Sequence, residues 1–360
     1  NIQAAVNAAS DGDEIIVMPG TYTGTGDQVV DMKGKAVRLH SNNVLLMPII
    51  DGEGARRGIL CNSGETNKTI IEGFTITFGY AINGGGMHND TSSPTLTNCT
   101  FDSNSALTYG GGMVNNNYSS PTLTNCSFTN NTSDHYGGGM RNYNNSNPTL
   151  ENCAFENNTA TNGSGGMYNH TNSNPTLTNC TFTGNTAGVW CGGMYNSESS
   201  PTLTNCTFTD NTANYGSGMY NWESSPTLTS CTFENNTAND DGGGMYNRYS
   251  SPTLENCLFT NNTATTYGGG MFNDNIYNPT LTDTTVCGNT PDQIYGDWND
   301  NGGNTIVDGD INGDGFVDVS DLLVIIDQWG LTNSPADINQ DGIVDVSDLL
   351  IVVGNWGPCE

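Results

Sequence analysis

Two twelve-residue stretches near the C-terminus hold the densest metal-binding pattern in the sequence, DINGDGFVDVSD from Asp310 and DINQDGIVDVSD from Asp337. The first offers oxygen donors from Asp310, Asn312, Asp314, the Phe316 carbonyl, Asp318 and Asp321. The second offers them from Asp337, Asn339, Asp341, the Ile343 carbonyl, Asp345 and Asp348. Six or seven hard oxygens on so short a loop suit Ca²⁺, one ion per loop and two in all. Gly315 and Gly342 stand where the chain must turn sharply. Each loop runs into a short apolar stretch ending in Trp-Gly. A module this small has little core, so metal binding would supply much of its folding free energy.

Other chemistry is more diffuse. Tyr168, Tyr195, Tyr220, Tyr246 and Phe272 recur at one position of a repeat and could stack sugar rings. Aromatic residues on parallel strands also stack on one another, which gives the same pattern. Asn-X-Ser/Thr sequons at Asn117, Asn130, Asn144, Asn157, Asn235 and Asn261 fall in corners and loops open to glycosylation. Those at Asn98, Asn125, Asn179 and Asn205 belong to a corner ladder and are expected to be buried.

Catalytic groups do not converge along the chain. Glycoside hydrolysis needs two facing carboxylates, yet Asp210, Asp240, Asp241, Glu151, Glu156 and Glu234 are scattered. Arg141 and Arg248 stand about four coils apart, and His40, His88, His135 and His170 do not recur. The expectation is that the chain is not an enzyme.

The elements that position these residues are set by a repeat. Prolines at 94, 121, 148, 175, 201, 226, 252 and 279 mark units of 25 to 27 residues, the signature of a solenoid. Within each unit three short apolar pieces, such as "PTL", "CTF" and "GGGM", alternate with polar punctuation. Pieces of this length are strands rather than helices. Three strands per turn make a parallel β-helix whose coils stack at roughly 4.8 Å. Leu96 to Leu281, Phe101 to Phe259 and Met87 to Met271 then form three core columns. Seven cysteines, from Cys99 to Cys257, form a fourth row. They read as buried thiols, because side chains stacked in register point the same way and seven cannot pair completely. Cys61, Cys191, Cys287 and Cys359 lie off the column and are the candidates for disulfides, with no pairing assignable.

Charge narrows the partners. Eight Lys+Arg against 37 Asp+Glu give a net charge of −29, and no Lys or Arg follows Arg248. Such a surface repels nucleic acid and anionic lipid. No apolar run is long enough for membrane insertion. The abrupt start at Asn1 is read as a secreted chain whose leader has been removed.

The repeat resembles right-handed parallel β-helix proteins of the pectin-lyase-like class. The opening "IQAAVNAASDGDEIIVMPGTY" resembles that family's N-terminal cap, with Ile2, Ala5, Val6 and Ala9 on one helix face. "CGNTPDQIYGDWNDNGGN" resembles a final coil. The paired loops, with Asp in place of the twelfth-position Glu of EF-hands and no entering helix, resemble a dockerin domain. That resemblance implies a cohesin-like partner contacted through Val319, Ser320, Val346 and Ser347. The expected class is therefore all-β, a solenoid of about 11–12 coils with a helical cap and a small α-helical dockerin-like domain. The expected domains are residues 1–12 (cap), 13–307 (β-helix) and 308–360 (dockerin-like). The expected function is a non-catalytic extracellular structural or adhesive rod. It would dock through calcium to a surface scaffold or to the next copy of itself in a filament. The alternative is a polysaccharide lyase or glycosidase, or a glycan-binding module, anchored by its dockerin.

Overall fold

The computed structural model describes residues 1–43, 45–274, 276–307, 309, 311, 316–332, 334, 336–338, 341–354 and 357–358. Those residues form a parallel solenoid of about eleven turns, with three short helices. Helix α1 (Ile2–Ala8) opens the chain, its N-terminus capped by the Asn1 side chain accepting from the Ala4 amide. Ile2 and Val6 are buried in the core cluster with Ala9 packed against it, as the apolar spacing predicts for an end cap.

Three long sheets run the length of the body, with 12, 11 and 12 strands. They carry the Leu, Met and Phe columns in register, coil on coil. Leu, Phe and Met of the regular coils are essentially inaccessible to solvent. The Phe rings stack face to face, with centroids 4.8 Å apart and planes 3° apart for Phe101 and Phe128. Each ring thus buries both faces against its own copies, worth about 1.5–3 kcal/mol of transfer free energy apiece.

A fourth, eight-stranded sheet was not foreseen. In the regular coils its strands are two residues long, such as Thr159–Ala160 and Thr186–Ala187, and its buried Ala column sits between polar corners. A two-residue piece carries too little periodicity to read as a strand.

Two asparagine ladders also differ from expectation. Asn98 is half-buried while Asn125, Asn152, Asn179 and Asn205 are exposed, all at positive φ, so the corner ladder is on the surface. Its amides still bond coil to coil, with Asn125 Nδ2 donating to Asn98 Oδ1 at 3.1 Å. Two other ladders are buried, one from Asn89 to Asn273 and one from Asn104 through Asn131, Asn158 and Asn185 to Asn289. Asn158 Oδ1 accepts from both the backbone N–H and Nδ2 of Asn131, while Asn131 Nδ2 also reaches the Phe101 carbonyl. These amides satisfy backbone groups that the corner would leave orphaned inside the core.

The glycines before each Met are required by close approach. A Cβ on Gly139 would lie 2.7 Å from the Gly166 carbonyl oxygen and 2.9 Å from the Phe155 ring. The nine described cysteines other than Cys287 are buried free thiols, including Cys61 and Cys191, which had been disulfide candidates. Cys287 is disulfide-bonded, and Cys359 lies outside the described residues.

The C-terminal module packs on the last coil. Cys287 and Val307 of the solenoid share one apolar cluster with Val317, Ile325, Ala336, Val344 and Val352. No helix among the described residues is long and apolar enough to cross a membrane.

Candidate functional site

Outside the core, chemistry concentrates on the outer face of the Met sheet. The residue after each core Met forms one outward column, from His88 to Phe272. The residue two further on forms a second, from Asp90 to Asp274. A row of Tyr109, Tyr136, Trp190 and Tyr215, joined by parallel bridges, walls one side. The Asp241 carbonyl accepts from Gly216 N–H as Tyr136 does from Gly110, which puts Asp241 in the same wall.

The aromatic stripe is largely covered. Tyr168, Tyr195, Tyr220 and Tyr246 are buried and Phe272 is half-buried, packed with Tyr136, Trp190 and Tyr215. Successive rings sit 4.6–5.1 Å apart between centroids. Their faces are occupied by one another, forming a second, exterior aromatic core. Tyr249 and Tyr267 are the exposed rings beside it.

Arg141 lies between two rings, 3.9 Å from the Tyr109 centroid and 4.4 Å from that of Tyr143. Two imidazoles flank it along the columns. Burial and the charges of Arg57 and Arg141 push His88 down to about 4, against an opposing Asp90. Burial also lowers His170, and Arg141 acts in the same direction against Glu198. Both rings are therefore neutral at pH 7. In the wall, burial and adjacent Asp240 raise Asp241 to about 6, although Tyr267 N–H donates to it. A carboxyl in that range can donate a proton near neutral pH.

The sequence contained this signal. His88 and Arg141 stand one residue after a core Met, His170 and Arg248 three after, so register brings them to one face. Read along the chain they look isolated.

A second charged cluster was missed because its members come from three non-repeating coils. Arg38 bridges Glu14 at 2.6 Å and Glu72 at 2.7 Å. His40 Nε2 lies 3.0 Å from Glu14 Oε1, while its Nδ1 is 3.0 Å from the Ser41 carbonyl. A pocket of about 440 Å³ opens beside Glu72, lined by Ser41, Met47, Gly73 and Asn98. Both carboxylates are engaged by one guanidinium, which suits an ion-pair lattice better than acid–base work.

The calcium-loop module follows its own logic. Asp318 caps helix α2 (Val319–Asp327) by accepting from Ser320 N–H, and Asp321 accepts from Asp318 N–H. Asp345 and Asp348 repeat this geometry at helix α3 (Val346–Gly354). Asp321 also accepts from Ile311 N–H at 2.8 Å, and Asp337 from Asp341 and Gly342 N–H. Asp321 and Asp348 are fully buried. The module contains no Lys, Arg or His to balance these charges, and an all-oxygen donor set fits a hard divalent cation. Phe316 and Ile343 are exposed at their loop positions. Asp310, Asn312, Asp314 and Asn339 lie outside the described residues. The cation would draw these carboxylates together; the protein's own part is to hold them at the helix N-termini.

Val319, Ser320, Val346 and Ser347 are exposed in the first turns of α2 and α3. They extend into a feature that sequence reasoning did not single out. Val319, Leu323 and Ile326 on α2 are 54–58% exposed, and Val346, Leu350 and Val353 on α3 are 50–62% exposed. Both triads have i, i+4, i+7 spacing, so each helix turns one apolar stripe outward.

Comparison with known proteins matches these regions. A family model described as right handed beta helix region matches residues 36–196 and 192–312. A model described as dockerin type I domain matches residues 308–355. No curated protein sequence matches the chain. Among solved structures, a pectate lyase is 14% identical, with 74% of this chain and 70% of that one covered and a TM-score of 0.45. An alginate lyase from Paenibacillus sp. is 10% identical, with 84% and 95% covered and a TM-score of 0.41. The A-module of a mannuronan C-5 epimerase from Azotobacter vinelandii is 14% identical, with 85% and 94% covered and a TM-score of 0.39. At this distance the likeness concerns the coiled architecture alone. The expectation of a chain without catalysis is withdrawn; the similar structures are of two lyases and an epimerase. That expectation rested on the linear scatter of polar groups, which the coil register undoes. Dockerin domains in general bind Ca²⁺ and dock to cohesins, so a docking module is present at the end of the solenoid. The chain belongs to the right-handed β-helix family and carries a type I dockerin domain at its C-terminus.

Proposed function

We propose that the chain is an extracellular polysaccharide-active β-helix protein, delivered by its dockerin domain to a cohesin-like partner. The observation that carries the docking half is the pair of matched apolar triads, Val319/Leu323/Ile326 and Val346/Leu350/Val353. Exposed apolar surface on so small a module marks an interaction site. Two loaded calcium loops would fix the angle between these helices, with Ser320 and Ser347 supplying polar contacts beside Val319 and Val346.

The glycan half is supported by the walled outer face of the Met sheet. There neutral His88 and His170, the guanidinium of Arg141 and the raised carboxyl of Asp241 line one strip. A polymer lying along the solenoid would meet the edges of Tyr168, Tyr195, Tyr246 and Phe272 and the open rings of Tyr249 and Tyr267, while Tyr220 is fully buried beneath them. Release of new sugar ends from a panel headed by pectate and alginate tests this reading; no product and no binding on any polysaccharide would remove it. Binding to a panel of cohesin modules, with calcium and with chelator, tests the docking half. A second copy of the chain is the competing occupant, and sedimentation in calcium separates the two, because self-docking gives concentration-dependent oligomers.

Of the six corner and loop sequons, Asn130, Asn157, Asn235 and Asn261 are exposed and are the better glycan acceptors, and Asn125, Asn179 and Asn205 of the surface ladder are exposed as well. Asn117 and Asn144 are half-buried, with Nδ2 already donating to Asp90 and Asn117 respectively. Intact mass of the secreted protein decides whether any is used.

A further inference from the structure

The chain has five arginines against 37 acidic residues, and four of the five have a carboxylate or carbonyl partner in the fold. Arg38 binds Glu14 and Glu72, Arg56 pairs with Glu53, and Arg248 lies 3.5 Å from Asp274. Arg57 donates to the Asn83 and Gly84 carbonyls. Arg141 is the exception. It is only 8% exposed and its side chain, among the described residues, makes no ion pair or hydrogen bond; its Nε is buried without an acceptor, as are those of Arg56 and Arg248, which each have a carboxylate close by. Its compensation comes from the Tyr109 and Tyr143 rings, and such contacts recover only part of what desolvating a guanidinium costs. In a molecule so rich in carboxylates, an unpaired and nearly buried cation is out of keeping with the rest of the surface.

We propose that Arg141 is the anion-binding subsite of the glycan face, where its guanidinium receives an oxyanion carried on a sugar ring, a carboxylate or a sulfate ester. The inference rests on the glycan reading above and adds a specificity determinant to it. Tyr109 and Tyr143 hold the guanidinium plane between them, which fixes the direction of its donors before a ligand arrives. Preorganisation of this kind lowers the ordering cost of binding. No carboxylate perturbs Arg141; the groups that do are the phenols of Tyr109, Tyr168 and Tyr143. An arriving oxyanion therefore has no internal competitor to displace. His170, which faces Arg141, Tyr143, Tyr168, Thr171 and Glu198, reports the event, because Arg141 helps keep it neutral.

The test compares the full chain with its Arg141→Met variant, whose unbranched side chain can occupy the slot between the two rings. The probes are a galacturonate oligomer, a sulfated galactose oligomer and the neutral galactose oligomer. Binding is read by titration calorimetry and the His170 pKa by NMR. The wild type is expected to favour one charged oligomer over the neutral one by about tenfold or more, and which one is bound identifies the source of the oxyanion. Arg141→Met should lose that preference while binding the neutral oligomer as before. Lys68→Met, which removes an exposed cation elsewhere, should keep it. Bound anion should raise the His170 pKa in the wild type and leave it unmoved in Arg141→Met. Equal binding of charged oligomers by wild type and Arg141→Met overturns the subsite, as does a wild type that prefers the neutral oligomer. A wild type that binds none of the three overturns the subsite and counts against the glycan reading as well.

Discussion

The regular coils and the C-terminal module solve the same problem, a chain with little conventional core, by opposite means. In the coils each residue type meets its own copy. Phe182 stacks between Phe155 and Phe208 at 4.7 Å, and Asn158 bonds to Asn185. No cation is needed there, because the buried Asn amides of the ladder are answered by their own copies and by backbone carbonyls a coil away. In the module identical groups cannot answer one another, since Asp321 and Asp348 are like charges buried without any basic side chain in the region. Repetition stabilises neutral amides and rings, whereas carboxylates in a small module must be brought together by a ligand.

Breaking the module side should give the largest effect. Asp321→Ala with Asp348→Ala removes the reciprocal acceptors of two helix-capping pairs and two buried candidate metal ligands together, so cohesin binding should vanish while the solenoid stays folded by circular dichroism. Retained binding would mean that the loops do not organise the docking face. Next in size, Leu323→Glu with Leu350→Glu should weaken docking roughly hundredfold, as expected for loss of buried anchors. Either substitution alone should cost much less if the two triads are interchangeable, and an equal loss from one alone would show that a single triad does the docking.

On the solenoid side, Phe182→Ala opens a gap in a continuous ring stack and should cost about 3–5 kcal/mol in chemical denaturation. Docking should be untouched. A smaller effect comes with acid. His88, among Arg57, Asp90, Asn116 and Arg141, is held at about 4 against an ordinary 6.5. The unfolded chain therefore takes up a proton that the folded one refuses. Stability is full above pH 6.5 and falls by up to ~3 kcal/mol as pH drops towards 4. His88→Gln should flatten that limb of the pH–stability curve.

Much of this architecture was legible because it is periodic. The Leu, Phe and Met columns, the helical cap at Ile2 and Val6 and the turn at Gly342 follow from spacing alone. What escaped notice did so for physical reasons. Asn131 reads as a turn residue, and only the three-dimensional corner decides that its column is buried while Asn125 is exposed. Tyr136, Trp190 and Tyr215 each stand four residues before a core Met, but Gly163 and Asp241 interrupt that column, so it does not read as an aromatic stripe covering Tyr168 and Tyr195. The Glu14–Arg38–Glu72 bridge spans coils that share no repeat. The outward triads of α2 and α3 were half visible, since Val319 and Val346 were identified from loop position and Leu323 and Leu350 only from exposure.

Differential scanning calorimetry of the full chain, in calcium and in chelator, tests the division between the two regions most directly. Two transitions are expected in calcium. Chelator should abolish or strongly lower the one that belongs to the module and leave the main solenoid transition almost in place, with a small shift from Cys287 and Val307 losing their cover. Identical traces in calcium and chelator would contradict the account, and so would collapse of the solenoid transition along with the module.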